Sequence, residues 1–214
     1  VADCGYLLEF DDAMDEVNCF RTGRGLPVMF KDEVPENGTL FNAVKAKVES
    51  IEADLEAGNY AAAYEQLDIN SVIDYFLVQE LTFNNEYKHP KSVYMYIDGD
   101  GKLTAGPVWD FDWQTFIIPE QVRAYGGAYI DQLRNVDEWL YGGSKLAERT
   151  VPIFGEYDYA NDMPYMWYPL LFKDAAFRSK VQERWNSIYP ALLQVSDEID
   201  RLAEQNRVSD RFNS

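Results

Sequence analysis

Five charged side chains flank one candidate hairpin: Glu86, Lys88 and Lys91 before it, Asp110 and Asp112 after it. Carboxylate oxygens hold hard cations, an ammonium group offsets phosphate charge, and a further carboxylate can accept a hydroxyl proton. Together they suit a site for a metal-bound phosphate. Whether they meet depends on a hairpin. Ser92–Ile97 and Lys102–Val108 read as strands, with Asp98-Gly99-Asp100-Gly101 as the turn. With Gly99 and Asp100 at the centre of the turn, partner numbers sum to 199; with Asp100 and Gly101, they sum to 201. Those registers set Asp110 opposite His89 or Lys91. Either way, the chain that follows a helix over 72–83 meets Trp109-Asp110-Phe111-Asp112 at the open end of the hairpin. On spacing alone, the alternative is that the aspartates cap turns and the lysines form surface pairs of little worth. The Asp98–Gly101 tetrad is a turn and not a calcium loop, because Pro107–Phe111 supplies no glutamate at the twelfth position.

The positioning elements are legible as patterns. Residues 1–35 carry two or three short strands joined by acidic loops, among them Gly5–Phe10 and Val28–Phe30. Gly23-Arg24-Gly25 lacks the third glycine and the following helix of a phosphate cradle. Leu40, Val44, Val48, Ile51 and Leu55 recur at helical spacing between Thr39 and Glu56, and Gly58 ends the run. Tyr60–Leu67 is a short alanine-rich piece. Asn70-Ser71 offers an N-cap for Val72–Phe83, with Ile73, Phe76, Leu77 and Leu81 as its buried stripe. Asp131–Tyr141 reads as a short helix within a Gly-, Tyr- and Trp-rich tract. Tyr165–Phe172 is another short piece, Asp174 caps a helix through Ser187, and Pro190 interrupts. Leu193–Asn206 follows, with Val195, Ile199 and Leu202 expected in the core. The reading is one α+β unit over 1–214, mostly helical: a strand segment, 1–35, then a helical lobe, 36–214, carrying the hairpin 92–108. The first strands are expected to belong to a larger sheet.

Composition narrows the partners. The 214 residues hold 19 Lys+Arg against 37 Asp+Glu, a net charge of −18. A field of that sign repels nucleic acid and anionic membranes and suits metal ions or cationic partners, with solubility alone as the alternative. The 15 Tyr, 12 Phe and 5 Trp argue against disorder. No run is long enough to span a bilayer. The chain opens on an apolar run with no positively charged region before it, so it does not read as a signal peptide, and residues before Val1 are expected. Cys4 and Cys19 are spaced either for a disulfide in an oxidising compartment or as two reduced thiols. His89 is the lone histidine, which sets aside His-based triads and structural zinc.

Several blocks resemble a known family. They are Asp74-Tyr75-Phe76-Leu77-Val78-Gln79-Glu80-Leu81-Thr82, Asn84-Asn85-Glu86, Ser92-Val93-Tyr94-Met95-Tyr96, Gly101-Lys102-Leu103 and Gly106-Pro107-Val108-Trp109-Asp110-Phe111-Asp112. Over most of its length the chain resembles the CotH kinase family, the spore-coat-protein-H type of atypical protein kinase. Trp109–Asp112 is the most specific block. Gly5–Glu9 and Leu26-Pro27…Lys31 are similar to forms found in gut Bacteroidetes. The resemblance implies a protein-kinase-like C-lobe, ATP with Mg²⁺ or Mn²⁺ as cofactors, and a surface or coat protein as the phosphoacceptor. It implies that Asp110 holds the metal, with Asp112 a second acid beside it. Glu86 stands where the family usually has its catalytic aspartate, with Lys88 close by. Lys91 or Ser92 stands where a metal-binding asparagine is often found. Lys31 and Glu9 are the nucleotide-facing candidates in an N-terminal lobe expected to be partly missing before Val1; a surface lysine and a packing-edge carboxylate are the alternatives. A chain so truncated is expected to show little turnover alone. The competing expectation is a non-catalytic relative or surface module binding through Tyr157, Tyr159, Tyr165, Trp167 and Tyr168. An extracytoplasmic location, at the envelope or surface, is the expectation that the acidic surface, the disulfide option and the resemblance favour, with a cytoplasmic home as the alternative.

Overall fold

A computed structural model of the chain describes residues 6–33, 38–82, 84, 90–97, 99–112, 115, 157–158 and 163–213. The first strand, β1 (Tyr6–Phe10), sends Leu8 and Phe10 into the core and Glu9 to the opposite side of the sheet. It does not stand at an edge. It lies between β3 (Pro27–Phe30) and β4 (Val93–Ile97), antiparallel to both, in a five-stranded sheet of order β2-β3-β1-β4-β5. Here β2 is Cys19–Arg21 and β5 is Leu103–Ala105. The larger sheet expected for the N-terminal strands is thus completed by the hairpin more than 80 residues downstream.

The hairpin forms about the expected turn, but its second strand ends at Ala105 and not at Val108, and its register sums to 200: Met95 faces Ala105, Tyr96 faces Thr104 and Ile97 faces Leu103. Both anticipated registers are off by one. The reason is burial. A register of 200 puts Ile97 beside Leu103 on the side packed against the helices, whereas 199 or 201 would set Ile97 against Lys102 or Thr104. The turn accommodates the extra residue with Gly101 at φ 80° and the Lys102 N–H donating to Asp100 Oδ1 at 2.8 Å.

Helix α1 (Thr39–Ala57) buries Phe41, Val44, Val48, Ile51 and Leu55. It ends at Gly58, whose left-handed φ of 74° lets Gly58 and Asn59 cap the last carbonyls. Helix α2 is Tyr60–Gln66 and α3 is Ile69–Leu81. The N-cap of α3 is Asp68, not Asn70-Ser71: its Oδ1 accepts the N–H groups of both residues. Ser71 Oγ instead accepts the Ala105 N–H at 2.9 Å, and the Asp68 N–H reaches Leu103 O at 2.9 Å. The start of α3 is therefore bolted to β5. Leu81, expected in the core, is partly exposed; Val72 and Tyr75 take that part.

Beyond the short pair β6 (Tyr157–Asp158) and β7 (Met163–Pro164), α4 (Tyr168–Leu171) is wholly buried. Helix α5 (Ala175–Leu192) starts on Asp174 as expected and runs two residues past Pro190. Helix α6 (Val195–Asn213) departs from expectation, because Val195, Ile199 and Leu202 are exposed. Periodicity reports that a helix is amphipathic, not what its apolar face meets. The core among the described residues is one aromatic-rich cluster. Phe30 stacks on Phe41 at 5.1 Å, Phe10 meets Trp167 edge-on at 5.8 Å, and Phe172 packs between Phe76 and Phe177. Tyr165, Trp167 and Tyr168, offered above as exposed binding rings, are at most 7% exposed and belong to this core. Among the described residues no helix is long and apolar enough to cross a membrane.

Candidate functional site

The open end of the hairpin is where the acidic groups gather. The chain leaves β5 through Gly106–Val108 and turns at Asp110, whose φ is 60°. Directly before β4, Ser92 has φ 50°. Side chains make this left-handed region costly, by about 1–2 kcal/mol each. The two residues are joined: Ser92 Oγ donates to Asp110 Oδ2 at 2.9 Å. Asn84, just past α3 and 4% exposed, donates its side-chain amide to the Asp110 carbonyl at 3.4 Å. Non-glycine residues held at positive φ by such partners concentrate at functional sites.

Asp112 lies against Asp110. The hydrogen bond between their carboxyl groups, then their charge repulsion, raises the Asp112 pKa above its usual value. Two carboxylates and a hydroxyl thus offer oxygen donors in one place, with more negative charge than they can comfortably share. That donor set fits Mg²⁺ or Mn²⁺, which take one or two carboxylates and fill the remaining positions with water and phosphate. Among the described residues no group of three His, Cys, Asp or Glu side chains forms a metal cage.

Of the alternatives Lys91 and Ser92, it is Ser92 that touches Asp110. Lys91 points back to β1, with Nζ 3.4 Å from Asp11 Oδ1 and 3.3 Å from Asp12 Oδ1. Burial alone would lower its pKa, but the two carboxylates outweigh that and raise it. Asp11 is 6% exposed and also accepts the N–H groups of Ser92, at 3.0 Å, and Ala13, at 2.8 Å.

Two residues up β1, on the same side of the sheet, Glu9 is buried and lies 3.0 Å from Lys31 Nζ. Lys31 also bonds Glu16 at 2.5 Å, and these carboxylates raise its pKa. Tyr94, the cross-strand neighbour of Glu9, has its hydroxyl pushed up to about 12, by burial first and then by its hydrogen bond to Glu9. Trp109 meets Tyr94 edge-on at 6.4 Å and is 61% exposed beside Asp110. The structure thus brings Ser92, Asp110 and Asp112 together, and pairs Lys31 with Glu9. Glu86, Lys88, Cys4 and the Asp131–Tyr141 helix lie outside the described residues. Sequence reading missed Asp11, Asp12 and Tyr94. Their only signal was an acidic pair closing an apolar strand, and it has no meaning until that strand pairs with β4. The Gly23–Gly25 turn is no phosphate cradle: Glu52 Oε1 already accepts the Arg24 N–H at 2.8 Å.

Comparison with known proteins gives the family. The family described as CotH kinase protein matches residues 4–209, nearly the whole chain, which therefore belongs to the CotH kinase family. No curated protein and no solved structure matches.

Proposed function

We propose that this chain, as a member of the CotH kinase family, binds Mg-ATP and transfers the terminal phosphoryl group to a serine or threonine hydroxyl of a protein at the cell envelope or surface. The observation that carries the reading is the Ser92–Asp110 contact with Asp112 beside it, at the position of the family's most characteristic block. Asp110, Asp112 and Ser92 hold the divalent metal, which supplies charge neutralisation on the phosphates when bound. The protein's own share is positioning. Ser92 and Asn84 fix the Asp110 carboxylate and carbonyl. Lys31, oriented by Glu9, faces the nucleotide phosphates. Glu86 accepts the acceptor hydroxyl's proton as the new P–O bond forms and the bond to the ADP oxygen breaks, with Lys88, two residues on in sequence, offsetting charge.

A second reading is a relative that binds nucleotide without transferring phosphate. Ser92 and Glu86 favour it, standing where the family usually carries asparagine and aspartate. The version of this idea built on exposed aromatics loses its support at Tyr165, Trp167 and Tyr168, which are buried.

The test is labelled-ATP transfer with Mg²⁺ or Mn²⁺ to a Ser/Thr-containing surface protein, using the longest natural form of the chain. Metal-dependent incorporation is expected, lost in Asp110→Ala and lowered ~10²–10⁴-fold in Glu86→Gln. Saturable nucleotide binding with no transfer supports the second reading. Incorporation undiminished by Asp110→Ala overturns the assignment of the site.

A further inference from the structure

We propose that Asp11 is a positioning residue for the metal-binding corner, acting through Ser92. The inference rests on the reading of Ser92 and Asp110 given above and extends it to a strand some 80 residues away in sequence.

Ser92 must hold φ 50° for its hydroxyl to reach Asp110, and nothing in its own residue type prefers that conformation. The conformation is imposed from β1. Asp11 Oδ2 accepts the Ser92 N–H at 3.0 Å, Oδ1 accepts the Ala13 N–H at 2.8 Å, and Lys91 Nζ stands 3.4 Å from Oδ1. The next backbone amide, Asp12 N–H, donates to Pro90 O at 3.1 Å. The end of β1 thus grips Pro90, Lys91 and Ser92 in succession. Ser92 and Asp110, two of the three non-glycine residues of positive φ among those described, both lie on this one chain of contacts.

Burial separates the two acids. The Asp11 side chain is 8% exposed, whereas that of Asp12 is 42% exposed and serves only the rim of the pair with Lys91. A buried carboxylate that bonds a backbone N–H fixes a geometry, whereas an exposed ion pair is screened and contributes little. The chain of action runs from the Asp11 carboxylate to the Ser92 amide, through the Ser92 hydroxyl, to Asp110 Oδ2. Partners of this outer kind tune metal affinity about 10- to 100-fold.

The experiment is a Mn²⁺ titration followed by electron paramagnetic resonance, with the metal alone as probe, on the full chain, on Asp11→Asn, Asp12→Asn, Ser92→Ala and Asp110→Ala, and on the Asp11→Asn, Ser92→Ala double variant. Asp11→Asn keeps the size of the side chain but sets an NH₂ group against the Ser92 or Ala13 N–H. It is expected to weaken Mn²⁺ binding about tenfold, matching Ser92→Ala. The double variant is expected to be no weaker than either single one. Asp12→Asn stays within about twofold of the parent. Affinity in Asp11→Asn within twofold of the parent, while Ser92→Ala loses tenfold, overturns the proposal and leaves the metal reading intact. Mn²⁺ binding that neither Ser92→Ala nor Asp110→Ala alters overturns both. Amide hydrogen exchange on the unmodified chain adds a readout that needs no variant to fold. The Ser92 N–H is expected to be protected to the level of the β4 amides, and exchange at the rate of an open loop overturns the proposal.

Discussion

At the scale of single residues, the account turns on Ser92. Its hydroxyl is what reaches Asp110, and its backbone is where strain is held. The two properties separate by substitution. Ser92→Ala and Ser92→Gly both remove the hydroxyl and are expected to weaken divalent-metal binding equally, by about tenfold. Only glycine relieves the left-handed backbone, so Ser92→Gly is expected to be about 1 kcal/mol more stable than Ser92→Ala in urea unfolding. Equal stability of the pair would mean that the corner carries no strain. Asp110 and Asp112 were legible because a turn between two strand-like runs points to them. Asp11 was not, because its importance exists only across the β1–β4 pairing, which no local pattern encodes.

At the scale of elements, the hairpin and most helices follow from periodicity and caps. Alternation along Val93–Ile97, the Gly58 stop of α1 and the Asp174 start of α5 are all local chemistry. What the pattern could not supply was the partner of each face. The hairpin register shifted by one to place Leu103 under Ile97, and α6 turned out to leave its apolar stripe exposed. A second tie between distant elements, also unreadable locally, is Glu52 on α1, 2% exposed. Its carboxylate accepts Thr22 Oγ1 at 2.9 Å, the Arg24 N–H at 2.8 Å and Trp167 Nε1 at 3.1 Å. It joins the β2–β3 turn, α1 and the segment entering α4. Glu52→Ala leaves buried donors without an acceptor and is expected to cost about 3–5 kcal/mol, read as a lower urea midpoint. Glu52→Gln, which keeps one acceptor oxygen, loses less. A loss under 1 kcal/mol for the alanine variant would mean that Glu52 is incidental to how these elements meet.

At the scale of the whole molecule, burial of tyrosine hydroxyls sets an alkaline limit. Burial raises the pKa of Tyr75, Tyr94 and the buried Tyr168 above the usual value. A group whose folded pKa exceeds its unfolded value contributes stability that is intact below the unfolded pKa, about 10 for tyrosine, and is lost as pH rises beyond it. The urea midpoint is therefore expected to fall steadily from about pH 10 upward, with a shallower fall in Tyr168→Phe. An unchanged slope in that variant would contradict the burial assigned to its hydroxyl. The −18 charge is a property of the whole chain as well, and its field favours a cation-assisted phosphate site over a bare phosphate site. The most direct measurement is calorimetric titration of Mg-ATP into the chain and into Asp110→Ala at equal folded fraction. One saturable site in the parent that vanishes in Asp110→Ala is the expected result; no binding in the parent, or the same isotherm in both, contradicts the assignment of Ser92, Asp110 and Asp112 as the metal-nucleotide site.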